Sequence, residues 1–96
     1  MLLKAGVDIS RLNREIRRAL PKIALVYESY GYELVITSTY EGNHGAGSLH
    51  YHNDAIDTAK TPGFFPNIHH DIKKGLGDDF DVVLEQDHIH TEYDPR

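Results

Sequence analysis

The chain has 96 residues, the size of one small domain, so we expect a single domain over residues 1–96. Fifteen Asp and Glu residues against ten Lys and Arg residues give a net charge of −5, which argues against nucleic acid as a partner. Because cysteine is absent, disulfides and thiolate metal sites are excluded, and only His and carboxylate side chains could hold a metal.

The apolar segments of the chain are short. None approaches the roughly 20 residues that a membrane-spanning helix needs, so no membrane association is expected. The first residues, MLLKAGVDIS, do not resemble a signal peptide, because Lys4 and Gly6 interrupt their apolar stretch. We therefore expect a monomeric protein that is made in the cytoplasm without a signal peptide.

The N-terminal part, about residues 8–30, is predicted to be helical. Asp8 is expected to cap this helix and Gly31 to end it, while Pro21 is expected to kink it or divide it into two. The prediction rests on apolar residues that recur every three or four positions, namely Ile9, Leu12, Ile16, Leu20, Ile23 and Tyr27.

Basic residues of the same segment fall mostly off the apolar face: Arg11, Arg14, Arg17, Arg18 and Lys22. Charged residues on one side of an amphipathic helix usually form its hydrated surface. We interpret them in this way, in preference to a binding site for an anionic polymer.

The remainder, about residues 32–93, is predicted to contain four strands and one further helix. A loop rich in Gly and Asn is expected at 41–47, a turn at 61–66, and Gly75 and Gly77 are expected to stop the second helix. The predicted elements are strands at 32–39, 54–59, 80–86 and 87–93 and a helix at 67–76. This order predicts an α+β domain with a small antiparallel β-sheet and helices packed on one face.

Two clusters of His and acidic residues carry the chemistry that the sequence suggests. SLHYHNDAID, at 48–57, places His50 seven residues before Asp57, and EQDHIH, at 85–90, contains His88 and His90. Residues two apart in a strand share a face, so both histidines of the second cluster should project together. Two imidazoles and a carboxylate suit a catalytic zinc ion that keeps its fourth position open.

The roles of the neighbouring polar residues are less well determined by spacing. Glu85 precedes the His pair and is the first candidate for a general base, with Asp87 as the alternative. The adjacent residues at 69 and 70 are both His and are interpreted as lying on the surface of the second helix. His44 and His52 flank the proposed site and are candidates for lining its mouth.

SLHYHNDAID followed by DHIH resembles the LAS group of zinc peptidases. This group comprises lysostaphin-type endopeptidases, D-Ala-D-Ala metallopeptidases of the M15 type and the hedgehog signalling domain. The resemblance extends over about residues 34–93. It implies a hedgehog-like or DD-peptidase-like fold, a Zn²⁺ cofactor, and hydrolysis of peptide bonds in the stem peptide or cross-bridge of bacterial peptidoglycan, at the cell wall after release.

The resemblance also implies roles for single residues. His50, Asp57 and His90 would bind zinc, Glu85 would be the catalytic acid and base, and His88 would stabilise the transition state. The family often has Gly at the position of Asn53, a residue type that tolerates positive φ.

One departure from the family concerns the substrate. The M15 carboxypeptidases usually have an Arg just past the first strand that grips the substrate's terminal carboxylate, whereas Tyr40 and Glu41 stand here. We therefore expect an endopeptidase of the endolysin kind rather than a strict D-Ala-D-Ala carboxypeptidase. The alternatives are a non-catalytic, hedgehog-like zinc-binding domain and a phage structural or assembly protein.

Overall fold

The computed structural model describes residues 1–39 and 53–95, which form the predicted α+β fold, with two helices and a sheet of five strands, one more than expected. In chain order the elements are β1 (Leu2–Leu3), α1 (Arg14–Ser29), β2 (Val35–Ser38), β3 (Ala55–Ala59), α2 (Phe65–Leu76), β4 (Phe80–Leu84) and β5 (His88–Tyr93).

The strands lie in the order β1-β2-β3-β5-β4. All neighbouring strands are antiparallel except β1 and β2, which run parallel. The sheet is therefore mixed, whereas a wholly antiparallel sheet was expected. The exception is β1, a strand of two exposed leucines that is too short to show the alternating pattern by which strands are predicted. Strand β3, which carries Asp57 of the first cluster, and strand β5, which carries His88 and His90 of the second, lie side by side in the interior of the sheet.

Helix α1 begins at Arg14, six residues later than expected, so that Asn13 instead of Asp8 occupies the N-cap position. The Asp8 carboxylate accepts a hydrogen bond from the Ser10 backbone N–H at 2.8 Å, a local turn that competes with helix formation. Pro21 lies inside the helix without dividing it. The end is close to the prediction, because the helix stops at Ser29 and Gly31 follows with φ +86°.

Helix α2 begins two residues earlier than expected, with Pro66 in its first turn, where the missing N–H costs no helical hydrogen bond. Gly75 lies within the helix, and Gly77, with φ +82°, ends it. His70 is exposed as predicted, but His69 is only partly exposed and its Nε2 lies 2.8 Å from the Val82 carbonyl oxygen of β4. The prediction of a surface position is therefore confirmed for His70, whereas His69 is half-buried against β4.

Both helices cover one face of the sheet and bury a single apolar core. Of the residues predicted to form the apolar face of the first helix, all but Ile9 are buried, and Ile9 packs against the core from the preceding turn. The buried Tyr27 joins helix to sheet, because its hydroxyl donates to the Ala59 carbonyl at 2.8 Å and lies 2.9 Å from Thr58 Oγ1. In the part of the chain that the structure describes, no helix is both long enough and apolar enough to cross a membrane.

Candidate metal site on the open face of the sheet

The candidate site lies on the face of the sheet that the helices leave open. In β5 the buried residues Ile89 and Thr91 alternate with partly exposed residues at 88, 90 and 92. Since Ile89 belongs to the core beneath the helices, the alternating positions project from the opposite face. The predicted sharing of one face by His88 and His90 thus agrees with the burial pattern of the strand.

Asp57 lies directly across from His90 in the register of β3 and β5. The distance from Asp57 Oδ1 to His90 Nδ1 is 3.0 Å, and the side chains are 14% and 19% exposed. The two residues are 33 positions apart in the chain. The fold therefore brings together one residue from each of the two clusters that the sequence singled out.

The other ring nitrogen of His90 also faces a carboxylate. Its Nε2 lies 2.9 Å from Glu92 Oε1, and the Glu92 side chain is 19% exposed. The hydrogen bond to Asp57 raises the pKa of His90, burial opposes this effect, and the hydrogen bond to Glu92 adds to it. Glu92 was missed as a candidate by the sequence reasoning, although its place in the 88, 90, 92 alternation was visible.

His88 lies between two carboxylates. Its Nδ1 is 2.7 Å from Asp87 Oδ1, and its Nε2 is 3.8 Å from the same Asp57 oxygen that contacts His90. The hydrogen bond from His88 lowers the pKa of the Asp87 carboxyl, whose side chain is 85% exposed. Asp87 thus orients the imidazole of His88 and directs its second nitrogen toward Asp57.

Glu85 lies in the turn between β4 and β5. Its backbone N–H donates to the His88 carbonyl at 2.9 Å, which closes the hairpin. The side chain is exposed and borders a groove at the end of the sheet together with Lys60, Phe64 and Leu84. Within residues 1–39 and 53–95, no hydrogen bond or ion pair engages its carboxylate.

Several predicted residues fall outside the described part of the chain. These are His50, the first proposed zinc ligand, His44 and His52, and Tyr40 and Glu41 at the position of the missing Arg. The chain re-enters the described region at Asn53, which has φ +62°. This is the left-handed conformation that Asn was expected to tolerate where the family often has Gly.

The donors that are described suit zinc in kind. Carboxylate oxygen and imidazole nitrogen are both common zinc ligands. Two ligand atoms on a tetrahedral zinc lie about 3.3 Å apart, given bond lengths of about 2.0–2.1 Å. Asp57 Oδ1 and His90 Nδ1, at 3.0 Å, are close to that separation. Residues 1–39 and 53–95 by themselves contain no group of three or more His, Asp or Glu arranged to hold a metal ion.

Comparison of the chain with protein-family models finds no match, and comparison with curated proteins finds no relative.

Proposed function

We propose that the protein is a zinc-dependent peptidase that hydrolyses peptide bonds of bacterial peptidoglycan. The observation that carries the proposal is the Asp57–His90 pair, at 3.0 Å, on the open face of the sheet. It joins one residue of each cluster that resembles the LAS peptidases. With His50 as the third ligand, the set would hold zinc and leave one position for water and substrate.

The nitrogen of His90 that would face the metal follows from its hydrogen bonds. Nδ1 points to Asp57 and Nε2 to Glu92. Because a metal shared by Asp57 and His90 must lie near both side chains, Nδ1 is the coordinating atom that this arrangement supports. The proton of the neutral ring then stays on Nε2.

When bound, zinc would act as a Lewis acid on water and on the scissile carbonyl. The protein would supply the proton transfers and the charge stabilisation. Glu85 would take a proton from the attacking water and return it to the leaving amine. His88, held by Asp87, would stabilise the negative charge that develops on the carbonyl oxygen.

The choice of Glu85 over Asp87 as the base has some support in the structure. The Asp87 carboxylate is engaged by His88 at 2.7 Å, which suits an orienting role. The Glu85 carboxylate makes no such hydrogen bond within residues 1–39 and 53–95 and is exposed, which leaves it available for proton transfer.

The metal site is tested by His50→Ala, Asp57→Ala and His90→Ala, each measured for zinc content and for zinc-dependent thermal stabilisation. We expect each to lower both. The matched control is His70→Ala, an exposed His on α2 that should leave both unchanged. Unchanged zinc content in all three site variants would refute the site. Loss of zinc in His88→Ala, with retention in His90→Ala, would exchange the roles of these two residues.

The enzymatic activity is tested by incubating the zinc form with purified sacculi and, separately, with D-Ala-D-Ala, followed by mass spectrometry. Cleavage of sacculi but not of the dipeptide is expected for an endopeptidase. Glu85→Ala should retain zinc and lose about 10²- to 10⁴-fold in rate, with Asp79→Ala as an exposed acidic control.

A second candidate is a non-catalytic, hedgehog-like zinc-binding domain. The exposed Glu85, whose carboxylate is not held in place by any other described residue, favours it. Full zinc occupancy without cleavage of either substrate would support this candidate over the peptidase.

A further inference from the structure

Both ring nitrogens of His90 face carboxylates of described residues. Asp57 approaches Nδ1 at 3.0 Å and Glu92 approaches Nε2 at 2.9 Å. The two acidic residues reach it differently. Asp57 comes from the neighbouring strand, whereas Glu92 lies two residues further along the same strand as His90.

We infer that Glu92 is a positioning residue that orients His90 for metal binding and fixes its proton on Nε2. The inference rests on the proposed zinc site and extends it to a residue outside the proposed ligand set. A ring that binds a metal through Nδ1 carries its proton on Nε2, and that N–H then has an acceptor in Glu92 Oε1. Carboxylates in this position fix the tautomer of a metal-binding His and raise its basicity.

Burial strengthens the contact. The side chains of His90 and Glu92 are each 19% exposed, so water competes only weakly for their hydrogen bond. The strand also limits the freedom of both residues, because β5 is paired on both sides, with Glu92 opposite Ala55 on β3 and Asp81 on β4.

Glu92 could affect zinc affinity through its hydrogen bond to His90 or through its negative charge alone. A substitution at Asp81 distinguishes these two explanations. Asp81 lies directly across from Glu92 on β4 and is exposed. Asp81→Asn therefore removes the same unit of charge from a neighbouring position without touching the His90 ring. Glu92→Gln removes the charge and keeps an acceptor oxygen, and Glu92→Ala removes both.

The experiment measures the zinc dissociation constant of the full chain and its variants by competition with a chromophoric chelator. Loss of an outer hydrogen-bond partner of a metal ligand typically weakens metal binding about 10- to 100-fold. We expect that loss in Glu92→Ala, a smaller one in Glu92→Gln and little change in Asp81→Asn. Dispersed amide NMR spectra verify that each variant is folded. If Glu92→Ala is unfolded, the comparison of Glu92→Gln with the unmodified chain tests the inference.

A second readout does not depend on affinity. In ¹⁵N NMR spectra of the zinc form, the imidazole proton of His90 should reside on Nε2 and exchange slowly with water, and in Glu92→Ala its exchange should accelerate. Zinc affinity in both Glu92 variants equal to that of the unmodified chain, or a His90 proton on Nδ1, would overturn the inference.

Neither readout uses hydrolysis, so failure of the inference is distinguishable from failure of the proposed function. A chain that binds zinc with the expected dependence on Glu92 but cleaves no peptide would leave this inference standing and refute the peptidase. A chain that binds no zinc would overturn both.

Discussion

Two buried threonines on the core face of the sheet should respond in opposite ways to the same substitution. Thr58 on β3 and Thr91 on β5 are both fully buried. The Tyr27 hydroxyl bonds to Thr58 Oγ1 at 2.9 Å and to the Ala59 carbonyl at 2.8 Å, and Thr58 Oγ1 donates to the Ile89 carbonyl at 3.4 Å. Within the described part of the chain, Thr91 Oγ1 is buried without a hydrogen-bond partner. The change to Val preserves shape and branching at Cβ while it removes the hydroxyl.

The magnitudes follow from this difference in partners. Thr58→Val removes the hydrogen bond between Tyr27 and Thr58 Oγ1, worth about 1 kcal/mol of stability, while Tyr27 keeps its bond to Ala59. Thr91→Val removes a hydroxyl that is dehydrated without compensation, so it should stabilise the fold by about 1 kcal/mol. Since about 1 kcal/mol shifts the Tm of a domain of this size by roughly 4–8 °C, the two variants should differ by roughly 8–16 °C.

Urea denaturation followed by circular dichroism measures both free energies of unfolding. A metal chelator should be present, so that bound metal adds nothing to stability, and the dependence of the free energy on urea must be the same in all variants. A loss of stability in Thr91→Val comparable to that in Thr58→Val would refute the reasoning, because it would show that the Thr91 hydroxyl has a partner.

Three further predictions concern the same folded core and its helices. Burial raises the pKa of Tyr27 from its ordinary value of 10.0 to about 12. The resulting stabilisation of the fold, about 3 kcal/mol, is fully present below pH 10 and should be lost as the pH rises from 10 to 12. The free energy of unfolding of Tyr27→Phe should lack this dependence on pH. Pro21→Ala should stabilise the fold by about 1–3 kcal/mol and so raise Tm, because it restores an N–H donor inside α1, whereas exposed Lys22→Ala should have little effect. Gly75→Ala should stabilise α2 by about 0.5–1 kcal/mol, and Gly77→Ala, at φ +82°, should destabilise by about 1–2 kcal/mol; equal thermal shifts would contradict this assignment of the helix end.

Periodicity in the sequence located the core better than it located the ends of helices. Ile9 and Leu12 continue the spacing of α1 and do pack on the core, but they do so from a turn that precedes the helix. A recurrence of three or four residues reports which side chains are buried, and a turn can satisfy it over a short distance. The competing hydrogen bond from Ser10 to Asp8 belongs to the local backbone conformation, which spacing does not reveal.

The candidate site was predictable to the level of residue type and strand face. The alternation in β5 was sufficient to place His88 and His90 together. The direct opposition of Asp57 and His90 depends on the register of two strands whose residues lie 33 positions apart, and no local pattern encodes it. The contact of Glu92 with His90 further depends on side-chain rotamers, which the spacing of residues does not determine.

The interior position of β5 has a consequence for amide hydrogen exchange. This strand is bordered by β3 on one side and β4 on the other, so its backbone amides are protected by neighbours on both edges. Deuterium should enter the His88–Tyr93 segment only through openings that separate the sheet, and its slowest amides should report the stability of the whole domain. By contrast, the two-residue β1 at the sheet margin should exchange early. A ligand that binds across β3 and β5 would then slow exchange throughout β5 as its occupancy rises, so this strand would report binding without an attached probe, even in a chain that cleaves nothing.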